Sequence, residues 1–467
     1  MKRRQFVGYI GNTSLFLLAA KLPLYANDSK QPAAAGEFLF VEAEQFAKHG
    51  GWELDQQSME QMGSPYLLAH GLGIPVQDAT TEVDFPSAGN YRVWVRTKDW
   101  VAPWNAPGAP GKFHLKVNGK ALDETFGTKS ATWHWHDGGM VKVTKKSTLA
   151  LHDLTGFEGR CEAILFCKDP KFEPTNDIAQ LTVFRRKLLG LSDKPDEGAE
   201  FDLIVSGGGL AGTCAAISAA RNGIKVALVQ DRPVLGGNGS SEVRVWPEGH
   251  TNKTLFPHVG DIVNEILPPI IKGPGMVFNG VSANYYNDAL KLSIVRSEPN
   301  ITLLLNHRVV KVETEADVIK AIVIQSTLTS RQTRIKGKLF SYCTGDGSIG
   351  FKAGADHEYK IEQLMGSTNL FNVLDVSNSE EVLACECKDK SALAMKCEQG
   401  DFDQPFPRCP WALDLSDKPF PGRKGQKTFG KEGLDSFANM WYWESGFTKD
   451  QVNEIELIRD HNFRALY

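Results

Sequence analysis

Long apolar runs are missing from this chain. Beyond residue 26 no segment approaches the roughly 20 consecutive apolar residues of a membrane-spanning helix, which excludes a transmembrane segment once the first residues are removed. A surplus of one charge is missing too. Lysine and arginine number 52 against 56 aspartates and glutamates, a net charge of -4, so the balance points away from nucleic acid. Clustered cysteine is also lacking: the eight lie at Cys161, Cys167, Cys214, Cys343, Cys385, Cys387, Cys397 and Cys409. Cys385-x-Cys387 with Cys397 and Cys409 matches neither zinc nor iron–sulfur spacing, and disulfides are the alternative, with a connectivity that spacing does not give. No internal repeat is present, which excludes a solenoid or propeller. What remains is a folded chain of 467 residues, 42% hydrophobic and 23% charged, long enough for two or three domains.

Met1–Ala26 has a basic start, an apolar middle around Leu15–Ala20 and a small residue at Ala26, the layout of an export signal. A membrane anchor is the competing reading, but the apolar stretch is short for a span. Arg3-Arg4-Gln5-Phe6 resembles a twin-arginine signal, which implies a bacterial protein exported to the periplasm or beyond, already folded.

Residues 37–169 are rich in short strands and turns. Glu82–Phe85, Tyr91–Thr97, Lys112–Val117, Gly139–Val143, Ser147–His152 and Ala163–Phe166 read as strands, with turn signals at Pro86–Asn90 and Asn118-Gly119. This spacing predicts a β-sandwich. The runs Val41–Glu44, Phe85–Arg96 and Leu151–Phe166 resemble the jelly-roll carbohydrate-binding modules of glycan-processing enzymes. By that resemblance Glu42 and Glu44 would hold a structural calcium, and Trp100 and Trp104, in a Pro/Gly/Ala loop, would stack on sugar rings; filling a core is the alternative for both rings. Trp94, on an alternating strand, reads as core.

Residues 170–199 read as a linker carrying a short helix around Ile178–Leu189. The stretch from Phe201 to Glu242 then supplies strand, glycine turn, helix and second strand in the order of a dinucleotide site. Gly207, Gly209 and Gly212 have the Gly-x-Gly-x-x-Gly spacing: the first permits the turn, the second a close approach of backbone to pyrophosphate, the third close packing of helix on strand. The helix runs from about Leu210 to Arg221, its N-terminus facing the phosphates. No Gly-Lys-Ser/Thr follows, which disfavours a nucleotide triphosphatase loop. Where an acidic residue usually grips the ribose stands Gln230, with Asp231 next to it; the Gln230 amide oxygen or the Asp231 carboxylate would serve.

Two further segments narrow the dinucleotide. Leu235-Gly236-Gly237-Asn238 follows the second strand, and Thr344-Gly345-Asp346-Gly347 ends a later apolar strand. With the glycine turn they resemble the two-dinucleotide-fold flavoproteins, specifically the FAD-dependent oxidoreductases related to the flavoprotein component of heterodisulfide reductase. The resemblance implies that Gly345 and Asp346 meet the ribitol, that Gly236 and Gly237 line the flavin and that backbone near Val309 passes the adenine. The iron–sulfur motifs of some relatives are absent. Ile301–Leu305, Val309–Glu313, Val318–Ser326 and Leu339–Cys343 read as strands, an antiparallel excursion from a Rossmann-type α/β sheet.

Glu242, Arg244 and His250 follow the double glycine and are the candidates for substrate contact or proton transfer, the alternative being an internal Glu242–Arg244 ion pair and an exposed His250. Trp441, Tyr442 and Trp443 line a substrate cavity or pack a cap, and a last helix is expected over Lys449–Leu466. Family members continue with a segment that closes the FAD site, so the resemblance implies a flavin domain, residues 200–467, that is C-terminally incomplete. The expectation is thus a multidomain, exported FAD-dependent oxidoreductase acting on a small molecule, a carbohydrate or related alcohol. The alternative is a secreted glycan-binding protein with an inactive flavin domain.

Overall fold

The computed structural model describes residues 38–245, 247, 255–267, 283–361, 365–369, 409–413 and 444–467. The expected export signal, His250, Cys385, Cys387, Cys397 and Trp441–Trp443 lie outside the described residues.

The first part of the chain contributes strands β1 (Phe38–Glu42), β2 (Glu53–Asp55), β3 (Tyr66–His70), β4 (Ala79–Asp84), β5 (Gly89–Thr97), β6 (Phe113–Val117), β7 (Lys120–Ala121), β8 (His134–Val143), β9 (Lys146–Asp153), β10 (Phe157–Cys161) and β11 (Ala163–Cys167), with a short helix α1 (Met59–Met62). They form antiparallel sheets in the orders β1-β11-β5-β8, β4-β9-β6-β7 and β10-β3-β2. Strand alternation builds the sandwich: Phe113, Leu115 and Val117 are buried while His114 and Lys116 between them are not. Their face meets Leu39, Val41, Val93, Val95 and Ile164 of the opposite sheet in one core. Asn118 and Gly119, at φ 50° and 79°, make the tight turn between β6 and β7.

Helix α2 (Ile178–Leu188) is part of this body. Asp177 caps it by accepting a hydrogen bond from the Gln180 N–H at 2.9 Å, and Arg185, Arg186 and Lys187 complement the dipole at its end. Leu181 and Leu188 pack with Phe40, Trp94, Trp135 and Leu165 on the outer face of the first sheet. Trp94 is therefore buried under α2 rather than inside the sandwich.

The second part is a six-stranded sheet, β14-β13-β12-β17-β16-β15, made of β12 (Asp196–Ser206), β13 (Val226–Gln230), β14 (Ile301–Leu305), β15 (His307–Glu315), β16 (Val318–Ser326) and β17 (Gln332–Tyr342). The pairs of β12 with β13 and β17, and of β13 with β14, are parallel; β15, β16 and β17 pair antiparallel, as the excursion predicts. Helices α3 (Leu210–Arg221), α4 (Asp261–Ile266) and α5 (Asp288–Ser297) lie between β12 and β14 in sequence, followed by α6 (Ser348–Lys352) and α7 (Ile455–Leu466). Ile204 enters one core layer and Val205 the other, which is why β12 reads as an unbroken apolar run. Residues 196–199, expected as linker, belong to β12, which pairs there with β17.

Candidate functional site

Backbone builds the floor of the site. Gly207 has φ +100°, and a Cβ there would lie 2.3 Å from the Cys343 carbonyl oxygen; a Cβ on Gly212 would lie 1.9 Å from the Gly207 oxygen. Both positions require glycine. Gly209 differs, since a Cβ there would meet nothing within 4 Å, so it faces open space at the start of α3. Amides at a helix N-terminus facing open space suit a phosphate.

Gln230 does a different job from the one expected. Its Oε1 accepts the Gly208 N–H at 2.8 Å and its Nε2 donates to the Val234 carbonyl at 3.1 Å, so both ends of the amide tie the glycine turn to the following loop. That loop is laced on further by the Gly236 N–H donating to the Gly208 carbonyl and by a parallel bridge between Gly209 and Gly236. Gly237 sits beside Gly209, where a Cβ would come within 3.1 Å of its Cα.

Beneath the double glycine lies a residue the sequence reading missed. Lys291 of α5 is fully buried, and its Cε would meet a Cβ on Gly236 at 2.8 Å. Its Nζ donates to the Tyr286 carbonyl and to Asp288 Oδ1 at 3.1 Å, and Asp288 in turn accepts the Ser241 N–H at 3.3 Å. Burial pulls the Lys291 amine below its usual range, and the hydrogen bond to Asp288 opposes this. The available sequence signal is the Asn287 cap, which accepts the Leu290 N–H, followed by acid and lysine three apart.

Asp231 and Asp346 are brought into one region. Asp231 is solvent-exposed yet crowded by protein, and its carboxyl is raised by desolvation, with Arg232 and Arg308 opposing and the charge of Asp346 adding. Asp346, exposed after β17, accepts from the Thr344 hydroxyl at 2.7 Å and from the Ser348 N–H at 3.1 Å through Oδ1, which starts α6. Gly345, at φ +89°, has open space around it. Val309 is a core residue of β15, opposite Ile324.

The alternative reading, a Glu242–Arg244 ion pair, is not what the structure shows. Glu242 takes a two-pronged pair from Arg232, at 2.9 and 3.0 Å, which links the loop after β13 to the one after Gly237. Arg244, at φ 59°, donates through Nε to the Ser241 carbonyl at 2.9 Å. Glu242 and Arg244 thus share a loop without touching.

At the sandwich, Trp100 is not an exposed platform. It is fully buried, donates Nε1–H to the Phe157 carbonyl at 3.0 Å and packs edge-on against Trp411 and Phe463 of α7. Trp104 is partly exposed under the Arg464 guanidinium, 4.8 Å from its ring centre. The same end of the sandwich binds α7 through buried charge. Arg160 grips Asp460 at 2.7 and 2.8 Å and Glu456 at 2.9 Å, Lys98 reaches Glu456 at 3.1 Å, and Arg459 pairs with Asp55 and donates to the Tyr66 hydroxyl at 2.6 Å. Burial pushes the Glu456 carboxyl up, but Lys98, Arg160 and Arg459 more than offset it and hold it at about 2.

Glu42 and Glu44 are buried rather than exposed. Arg185 Nε pairs with Glu42 Oε1 at 3.1 Å, and among the described residues no group of three or more His, Cys, Asp or Glu is arranged to hold a metal ion. Apart from that ion pair, the carboxylate oxygens of Glu42 and Glu44 have no hydrogen-bond partner among the described residues. Cys161, Cys214 and Cys343 are free thiols.

A family model described as FAD dependent oxidoreductase matches residues 202–435, half of the chain. No curated protein matches. Among solved structures, the chain is similar to glycerol-3-phosphate dehydrogenase from Bacillus halodurans complexed with FAD, at 19% identity over 36% of this chain and 38% of that one, with a TM-score of 0.25. Another is L-proline dehydrogenase from P. horikoshii, at 14% identity over 37% of this chain and 59% of that one, TM-score 0.24. A family 35 carbohydrate binding module from Clostridium thermocellum is similar to the sandwich region, at 17% identity over 28% of this chain and 98% of the module, TM-score 0.23. The chain spans well under two thirds of the length of both flavoenzymes.

Proposed function

The chain belongs to the FAD dependent oxidoreductase family, and from that premise we propose that it oxidises a small organic substrate, a carbohydrate or related alcohol, at FAD held over the Gly207–Gly212 turn. FAD, when bound, supplies the hydride acceptor. The observation that carries the reading is the open cradle at Gly209, faced by the start of α3 and backed by the Gly236-Gly237 loop. Gly207 and Gly212 keep the turn tight enough for backbone amides to meet a pyrophosphate. Asp346 and Asp231 offer carboxylate acceptors to sugar-alcohol and ribose hydroxyls, a charged acceptor being the stronger partner for a neutral donor. Arg232 holds Glu242 in place beside the double-glycine loop, where Glu242 would orient substrate or take a hydroxyl proton, with Arg244 and His250 as the other candidates. The carbohydrate class is supported by the resemblance of the runs Val41–Glu44, Phe85–Arg96 and Leu151–Phe166 to carbohydrate-binding modules.

Export belongs to the same proposal. It is supported by Arg3-Arg4-Gln5-Phe6 and the apolar Leu15–Ala20, and a periplasmic or extracellular enzyme loaded with FAD before export is the consequence. Among the described residues no helix is long and apolar enough to cross a membrane.

The test is spectroscopic. Purified protein carries visible flavin absorption that bleaches anaerobically with sugars or polyols. A protein reconstituted with FAD that shows no flavin absorption overturns the cofactor reading, and bleaching by amines or hydroxy acids instead of sugars overturns the substrate class. Substituting Arg3 and Arg4 by lysine retains the protein in the cytoplasm; unchanged fractionation counts against twin-arginine export.

A further inference from the structure

The sandwich touches the flavin sheet through a side chain that the proposed chemistry does not use. Gln56 directly follows β2 and is buried, and its Nε2 donates to the Thr327 hydroxyl at 3.1 Å. Thr327 directly follows β16 and is buried as well. A buried amide that donates to a buried hydroxyl specifies one seat for the joint, because a small shift leaves both groups desolvated and unpaired. Thr327 is tied in turn to the loops beside the glycine turn. Its N–H donates to the Asn306 carbonyl at 2.8 Å and its hydroxyl to the same oxygen at 3.2 Å, so the hydroxyl accepts from one side and donates to the other. Asn306, at φ 56°, links β14 to β15, and its N–H donates to the Arg232 carbonyl at 3.4 Å.

Arg232 is where this thread enters the candidate site. It follows Asp231, the carboxylate offered to the ribose, and its guanidinium holds Glu242 in the two-pronged pair. A second thread is electrostatic. Burial disfavours the charged Arg232 guanidinium; Glu242 offsets this most, and the charges of Asp231 and of Asp55, the last residue of β2, add to it. Consecutive residues of the sandwich, Asp55 and Gln56, thus act on one corner of the flavin region, the first through charge and the second through hydrogen bonds.

We propose that Gln56 is a positioning residue of the FAD site: from the sandwich it fixes, through Thr327 and Asn306, the Asp231–Arg232 corner, so that seating of the sandwich and binding of FAD favour one another. The inference rests on the FAD reading above. Coupling of this kind is reciprocal, so a cofactor that needs the corner in place also tightens the Gln56 joint.

The experiment strips the full chain of flavin, titrates it with FAD by flavin fluorescence, and measures amide hydrogen exchange of residues 53–58 with and without FAD. Gln56→Leu, which keeps the bulk and removes the donor, is expected to weaken FAD binding about fivefold or more. Thr327→Val breaks the same link, so the double variant is expected to lose less than the two single losses combined. Val117→Ala, in the sandwich core, is expected to lower the unfolding temperature and leave FAD affinity unchanged. In wild type, FAD is expected to slow exchange over 53–58 about fivefold or more, and Gln56→Leu to remove that protection. A wild type that binds FAD no more tightly than Gln56→Leu does, or whose exchange over 53–58 ignores FAD, overturns the proposal and leaves the cofactor reading standing. A Val117→Ala loss of affinity as large as that of Gln56→Leu also overturns it, because general loosening would then suffice. If Gln56→Leu does not fold, the wild-type exchange decides. A wild type that takes up no FAD overturns the cofactor reading and this inference with it.

Discussion

The glycine turn of the flavin region and the α7 end of the sandwich are both places where distant pieces of chain meet, but they are held by opposite means. At Gly207–Gly212 side chains are absent, and backbone fits backbone with no room for a Cβ at two positions. At the α7 end side chains do everything: Arg160, Arg459, Lys98, Asp55, Asp460 and Glu456 are paired in the interior, with Trp100, Trp411 and Phe463 around them. The first arrangement leaves a surface for a ligand. The second consumes the surface, so the loop aromatics that resemble a sugar platform are spent on the chain's own helix.

The contrast can be broken first at the glycines. Gly212→Ala drives a Cβ into the Gly207 carbonyl and is expected to abolish flavin retention and cost several kcal/mol of stability, whereas Gly209→Ala, with open space, folds normally and only weakens flavin binding. Equal effects of the two, by flavin absorbance and denaturant unfolding, would remove the distinction. Next, Asp460→Ala leaves the buried Arg160 guanidinium with Glu456 as its remaining carboxylate and is expected to cost about 3–5 kcal/mol in urea unfolding, about as much as Trp100→Ala.

Acid offers a milder probe of the same joint. The Glu456 carboxyl is held at about 2 against an ordinary 4.5, so its contribution is complete above pH 4.5 and is lost as pH falls toward about 2. Trp133, whose Nε1–H donates to Glu456 at 3.1 Å, should report that loss in its fluorescence; a signal flat across the window would refute it. Lys291→Met is expected to cost about 1–3 kcal/mol by stranding Asp288 and the Tyr286 carbonyl and to lower flavin affinity, with Lys291→Arg not restoring the packed fit. The smallest effect belongs to Trp104→Ala, under about 1 kcal/mol, since its ring is half-exposed beneath Arg464.

What was legible in the sequence is what is local. The β12–α3–β13 unit follows from a glycine spacing and a few apolar residues, and Ile301–Leu305, Val318–Ser326 and the β6–β7 turn follow from alternation and turn chemistry. Strands β1, β2, β3, β7 and β10 were missed. All five residues of β10 are buried, so Phe157–Cys161 shows no alternation to read, and β2 is three residues long. Arg160 and Asp460 are 300 positions apart, and no periodicity announces their pairing. Gln230 looked like a ribose contact because it stands where an acid usually does; its amide is a two-ended backbone tie, which an acid would not reproduce.

The docking of α2 and α7 on one sandwich has a topological consequence. The polypeptide between them leaves α2 at Leu189 and is anchored on the sandwich again at α7, with Trp411 touching the sandwich on the way, a circuit with both feet on the same base. Closing a circuit costs entropy that grows only logarithmically with its length, about 0.6 kcal/mol per doubling. Lengthening a loop inside the circuit is therefore expected to cost the clasp at its base little stability.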